Sequence, residues 1–231
     1  MLAVLFLLLT LLFVAIFYFA LKKDKVFLLP YGVWLLVIGV LAFMEVFLNN
    51  PKLFLFILVS TLIINYAIFK RIKFIKVNPR ILLIIQCLRI PVELILYNLF
   101  LSKSIPEIMT FNGLNFDILF GFLAIVLLVA SLIKDSIFQN LLFKIWNGLG
   151  IISVAFVVLL AILSSPIPIQ QFGIDQPNVA LLSFPYCYLP VIIVPIVVLS
   201  HIMTFRQLFY DFSRDKKRCD LKNTKISELY T

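Results

Sequence analysis

The sequence predicts an all-α, polytopic membrane bundle of seven transmembrane helices, with the N-terminus outside and the C-terminus cytoplasmic. Three observations carry that expectation. Of 231 residues, 63% are hydrophobic and 13% charged, where a soluble domain runs at about 45–50% and about 25%. A globule of this size leaves too much surface in water to hide so many apolar side chains. The apolar stretches are continuous and about 20 residues long, the length a bilayer core requires, and do not alternate as barrel strands do. Lys and Arg fall almost wholly in alternate loops. Together these exclude a soluble enzyme, a disordered chain and a disulfide scaffold.

The predicted spans are 1–21, 26–48, 52–69, 81–101, 115–133, 140–164 and 181–203. The first follows no basic segment and no small-residue cleavage site comes before Lys22, so it is expected to be a retained helix. The breaks are Lys22 to Lys25, Asn49-Asn50-Pro51, the basic stretch Lys70 to Arg80, Ser102 to Asn112, Lys134-Asp135-Ser136 and Ser165 to Asn178. Seventeen of the 20 Lys and Arg lie in one alternate set of loops and the C-terminal tail, against Lys52 and Lys103 on the other side. Short cytoplasmic loops carry that excess. The domain division is a seven-helix membrane unit at 1–204 and a short basic cytoplasmic tail at 205–231.

The net charge of +9 follows from this asymmetry. No zinc-finger spacing or aromatic-basic platform accompanies it, so nucleic acid is not an expected partner. The bilayer is, with anionic headgroups against the tail. There Phe205, Leu208, Phe209 and Phe212 recur at helical spacing, as in an interfacial helix. Cys87, Cys187 and Cys219 are scattered and no disulfide is expected. One histidine, His201, excludes multi-histidine metal sites; it is read as a packing residue near the inner end of helix seven. No phosphate loop or hydrolase motif is present. No cofactor or metal is expected, and an enzyme would have to work with carboxylates, tyrosines and amides.

Helix four carries the most informative segment, QCLRIPVELILYN, from Gln86 to Asn98. Charges inside a membrane face partners or cavities. Arg89 and Glu93 are four apart and share a face, which Gln86 and Tyr97 extend into a polar stripe. Pro91 between the charges removes an amide and kinks the helix. Glu93 is expected near mid-bilayer with Arg89 as its counter-ion. In MTFNGLNFD, Met109 to Asp117, Asn115 and Asp117 are expected to cap helix five, with Asp117 near headgroup depth. The long outer loops are apolar enough to fold over the bundle or dip into it as a lid. Their side is acidic (Glu45, Glu107, Asp117, Asp175), so a vestibule there favours cations. Pro185, Pro190 and Pro195 should bend or break helix seven. A 3+1+3 repeat is conceivable on Asn50-Pro51 and Gln176-Pro177-Asn178 alone.

The stretches RIPVE (Arg89–Glu93), MTFNGLNFD (Met109–Asp117) and QQFGIDQPN (Gln170–Asn178) resemble those of small uncharacterised bacterial inner-membrane proteins, over most of the chain from residue 80 onward. The resemblance implies shared architecture and a bacterial cytoplasmic membrane; it implies no activity. Three function classes stay open. One is transport or ligand sensing through a site of Glu93, Arg89, Tyr97, Gln86, Asp117 and Asn115. Another is an accessory protein whose polar stripe packs against a partner's helices or a second copy. The last is a lipid-modifying enzyme using Glu93 or Asp117 as acid or base.

Overall fold

The computed structural model describes residues 1–208, and every regular element among them is helical. Five helices are long and apolar enough to cross a membrane: α1 (Leu2–Ala20), α3 (Pro51–Ile72), α4 (Pro79–Leu101), α6 (Leu141–Leu163) and α7 (Leu189–Leu208). Two shorter apolar helices lie between them, α2 (Lys25–Phe43) and α5 (Asp117–Ile133). The chain is a multi-pass membrane protein. The basic tail beyond Leu208, with Phe209, Phe212 and Cys219, lies outside the described residues.

The helices pack through aromatic and branched side chains. α1 buries Phe6, Phe13 and Phe17 against α4 and the start of α7, while Leu36, Leu62 and Ile152 on other helices are exposed, as lipid-facing positions are. α2 is joined to α3 by a polar clamp. The Tyr31 hydroxyl donates to Asn65 Oδ1, Asn65 Nδ2 donates to the Thr61 carbonyl at 2.8 Å, and Trp34 Nε1 donates to Thr61 Oγ1 at 3.1 Å. α2 also meets the head of α7 closely. A Cβ on Gly39 would collide with the Tyr188 hydroxyl oxygen, which donates to the Leu35 carbonyl at 3.0 Å.

The structure redraws three of the predicted spans. The second stops at Phe43, because Glu45 adopts a left-handed backbone (φ 59°) before the short turn Val46–Asn49. Pro51 then opens α3, its missing amide costing nothing at a first turn. The fourth is divided at Leu88 into Pro79–Cys87 and Arg89–Leu101. Pro91 cannot donate to the Cys87 carbonyl and its ring crowds that residue, so the break falls one turn earlier than the proline.

The seventh span begins eight residues late. Residues 183–187 form turns, and the helix starts at Leu189 with a wide π-type turn to Ile193. Pro185 is left outside it and Pro190 sits in its first turn, where a missing amide is tolerated. The wide turn runs up to Pro195, whose absent amide would have served a carbonyl within it. The helix then continues through the last described residue, Leu208, so His201 lies within it, buried against Trp146.

α5 also starts in an unexpected place. A Cβ on Gly121 would meet Ile90 at 2.7 Å, so the first turn of α5 lies beside the middle of α4. From Glu93, which Asn115 meets just before α5, to Leu101 α4 climbs about 12 Å at the usual rise per residue. The segment 102–116 therefore descends about that far back into the helices before α5 begins. Ile105, Met109, Thr110 and Asn115 on it are buried, as non-helical backbone at membrane depth has to be. The second long loop lies against the first. Gln176 Nε2 donates to the carbonyls of Phe100 (3.0 Å) and Ile105 (2.5 Å), and Gly173, at φ +63°, packs on Pro106 where a Cβ would be 2.7 Å from the ring. Of the two loops expected to fold over or into the bundle, the first dips in, while the second lies over it with Ile169 and Ile174 exposed.

Candidate functional site

The descent of residues 102–116 and the break in α4 bring polar side chains from four helices to one level. Arg89, 3% exposed, lies at the centre. Its Nη2 donates to Asp117 Oδ1 in an ion pair, and the same carboxylate oxygen accepts from the Ser153 hydroxyl of α6 at 2.5 Å. Its Nη1 approaches Gln86 Oε1 at 3.4 Å and His201 Nε2 at 3.5 Å, and the guanidinium stands over the Phe120 ring at 5.2 Å. Gln86 in turn donates from Nε2 to Ser200 Oγ on α7 at 2.5 Å.

Asn147 on α6 orients the histidine. Its Nδ2 is committed to the His201 carbonyl at 3.0 Å, so its Oδ1 faces His201 Nδ1 at 2.8 Å and accepts from it. Nε2 is left to accept from Arg89. Only a glycine at 150 allows this, since a Cβ there would sit 2.5 Å from His201 Cε1. The indole of Trp146 packs against the imidazole with ring centroids 5.6 Å apart.

Glu93 is 2% exposed, and both its carboxylate oxygens accept from one group, Asn115 Nδ2, at 2.9 and 2.8 Å. Asn115 also donates to the Met109 carbonyl at 3.0 Å and accepts at Oδ1 from the Asp117 amide at 3.0 Å. Asn115 thus serves the first amide of α5 from one residue before the N-cap position, which is Phe116 and not Asn115 or Asp117 as expected, and holds Glu93 as well. Arg89 does not pair with Glu93. An arginine placed N-terminal to a glutamate has the weaker of the two i, i+4 orientations, and Asp117 is brought within reach of it instead. Asp117 correspondingly lies buried beside Arg89, apart from the loop carboxylates with which the sequence grouped it.

Of the six residues singled out in the sequence, five are connected in this network: Gln86, Arg89, Glu93, Asn115 and Asp117. Tyr97 is not. Its ring packs on Phe111 at 4.8 Å, one turn beyond Glu93. The sequence reading missed Asn147, Ser153, Ser200 and His201 as members. Asn147 had a visible signal, a lone amide in an apolar span three residues before a glycine. Ser153 and Ser200 had none, because serine is tolerated in membrane helices by bonding back to its own helix.

Residues 48–209 match a family described as a domain of unknown function (DUF8737). The chain belongs to this family. No curated protein and no solved structure matches it. Every residue of the polar network lies within the DUF8737 region, which takes in α3 to α7, while α1 and α2 precede it.

The DUF8737 site holds two carboxylates and one guanidinium. A carboxylate taken out of water requires a proton, a cation or a full set of donors to balance it, and here Glu93 has a single neutral amide. The Glu93 oxygens and the Met109 carbonyl share Asn115 Nδ2 as donor, so a proton or small cation taken up by Glu93 would compete with that amide. Among the described residues, no group of three or more His, Cys, Asp or Glu could hold a metal ion. Asp117 is buried and paired with Arg89, not free at the surface.

Proposed function

We propose that this protein is a seven-span bundle of the bacterial cytoplasmic membrane, N-terminus outside, that binds a proton or a small monovalent cation at Glu93 as part of transport or ligand sensing. One observation carries the reading. Glu93 is buried among helices with one neutral donor, while Arg89, the guanidinium beside it among the described residues, is committed to Asp117. Binding at Glu93 changes the charge next to Asn115, which also holds the Met109 carbonyl of the descending loop and the entrance of α5. Arg89 carries the change to α7 through Gln86 and His201. The wide turn at Leu189–Ile193 and Pro195 make α7 the element suited to move.

Trp146 against His201 supplies the readout. In vesicles containing the Trp34→Phe protein, Trp146 emission should respond to pH or to added Na+ or K+, and Glu93→Gln should abolish the response. A response that survives Glu93→Gln in folded protein rejects Glu93 as the binding group. Water access is a second test: in a background lacking the native cysteines, Glu93→Cys should react with a membrane-impermeant thiol reagent from one side. No labelling in folded protein would leave the network a structural clamp and favour the accessory reading.

A further inference from the structure

A second site lies on the lipid-facing flank of the molecule. An apolar groove runs between α3 and α6, walled by Phe54 and Leu58 on one side and Val157 on the other, with Met109 and Leu189 beneath. On both walls lining side chains are half-buried, Leu55 and Leu58 on α3 and Val158 on α6, so the groove opens at the apolar surface of these helices. Its upper end, at the long loops, is different in kind. Asn178 lines it, is 1% exposed, and its Oδ1 has no hydrogen-bond partner. Turning the amide over does not cure this, because Nδ2 is required by the Ala161 carbonyl at 3.1 Å and lies 3.3 Å from Ser165 Oγ. The adjoining Ser164, whose carbonyl accepts the Asn178 amide at 2.8 Å, also has a fully buried hydroxyl without a partner.

Buried polar atoms are nearly always satisfied, and an unmet acceptor at the head of an apolar slot defines the complement it fits. We infer that the groove binds a membrane lipid, with one acyl chain along α3, α6 and α7 and a hydroxyl of its polar end donating to Asn178 Oδ1. The apolar lining takes a chain of any headgroup class; Asn178 selects for a donor. An annular lipid needs no such group. The site is independent of what Glu93 binds.

The full-length protein, reconstituted in phosphatidylcholine vesicles, is irradiated with a trace of a diacylglycerol bearing a photoreactive acyl chain, or with its O-methyl ether. The two probes differ only in the donor. The alcohol should label peptides containing Leu58, Val157 and Leu189 more densely than those containing the exposed Leu36 and Ile152, and about fivefold more than the ether does, the ratio one net hydrogen bond supplies. Asn178→Leu should equalise the two probes at the lower level, and Ala161→Phe should fill the groove and remove both labels. If Ala161→Phe does not fold, the wild-type ratio and Asn178→Leu decide. Groove labelling no denser than at Leu36 and Ile152, or equal labelling of wild-type by alcohol and ether, overturns the proposal. So does a disulfide between two copies carrying Leu55→Cys, which would assign the groove to a second copy.

Discussion

The two polar clusters among these apolar helices are built on opposite terms. Between α2 and α3, Tyr31, Asn65, Thr61 and Trp34 form a neutral cluster in which each side-chain donor meets an acceptor. Between α4 and α7 the cluster is charged, carries one carboxylate more than its guanidinium balances, and leaves Arg89 Nε without a partner. The first arrangement is what helix association in lipid requires, since hydrogen bonds there add modestly to packing. The second exceeds what association requires. On the function proposed above, the difference separates polarity that holds helices together from polarity that would bind a ligand.

The largest way to break the comparison is at the ion pair. Asp117→Ala strands a buried guanidinium and should cost about 3–5 kcal/mol, read as unfolding in mixed micelles; replacing both partners, as in Arg89→Met with Asp117→Leu, should recover most of it. A loss confined to less than one kilocalorie would mean that water reaches Arg89 and that the pair is not closed. Next comes Gly150→Ala, which drives a Cβ into the His201 ring and should cost about 1–3 kcal/mol by overpacking, with a changed Trp146 spectrum as its signature. An unaltered spectrum would show that His201 is free to swing away.

Glu93→Gln sharpens the contrast, because it should leave stability within about 1 kcal/mol while removing the pH or cation response. A large stability loss would place Glu93 with the structural groups. The smallest effect belongs to the neutral clamp: Tyr31→Phe should cost about 0.6 kcal/mol, typical of a membrane hydrogen bond, and leave the Trp146 response untouched. A Tyr31→Phe variant that altered that response would join the two clusters into one.

Much of this was legible in the chain. Apolar length located the helices, and the charge at Arg89, Glu93 and Asp117 marked the site, because ionisable groups in lipid are too costly to be incidental. What could not be read was pairing across helices. Four-residue spacing put Arg89 beside Glu93, but the depth of Asp117 depends on how far residues 102–116 descend, and no periodicity encodes that. His201 was misplaced for a related reason. The prolines announced a disturbed helix, and only tertiary packing decided that α7 would yield at its beginning and run on to Leu208. Glu45 in a left-handed turn carries no local mark, being neither glycine nor asparagine.

The late start of α5 has a bearing on how the protein is made. Its 17 residues reach about 25 Å, short of a hydrocarbon core of about 30 Å, and its first residue is an aspartate that needs Arg89. Emerging alone from the insertion machinery, this helix would present an unpaired acid to lipid. With α4 already in place, the acid has its cation and the descending loop has a wall to lie on. Insertion of α5 thus depends on the helix made before it, so a chain with Arg89 removed should be mis-threaded during synthesis, which a glycosylation or protease-protection assay on nascent chains would detect as α5 left outside the bilayer.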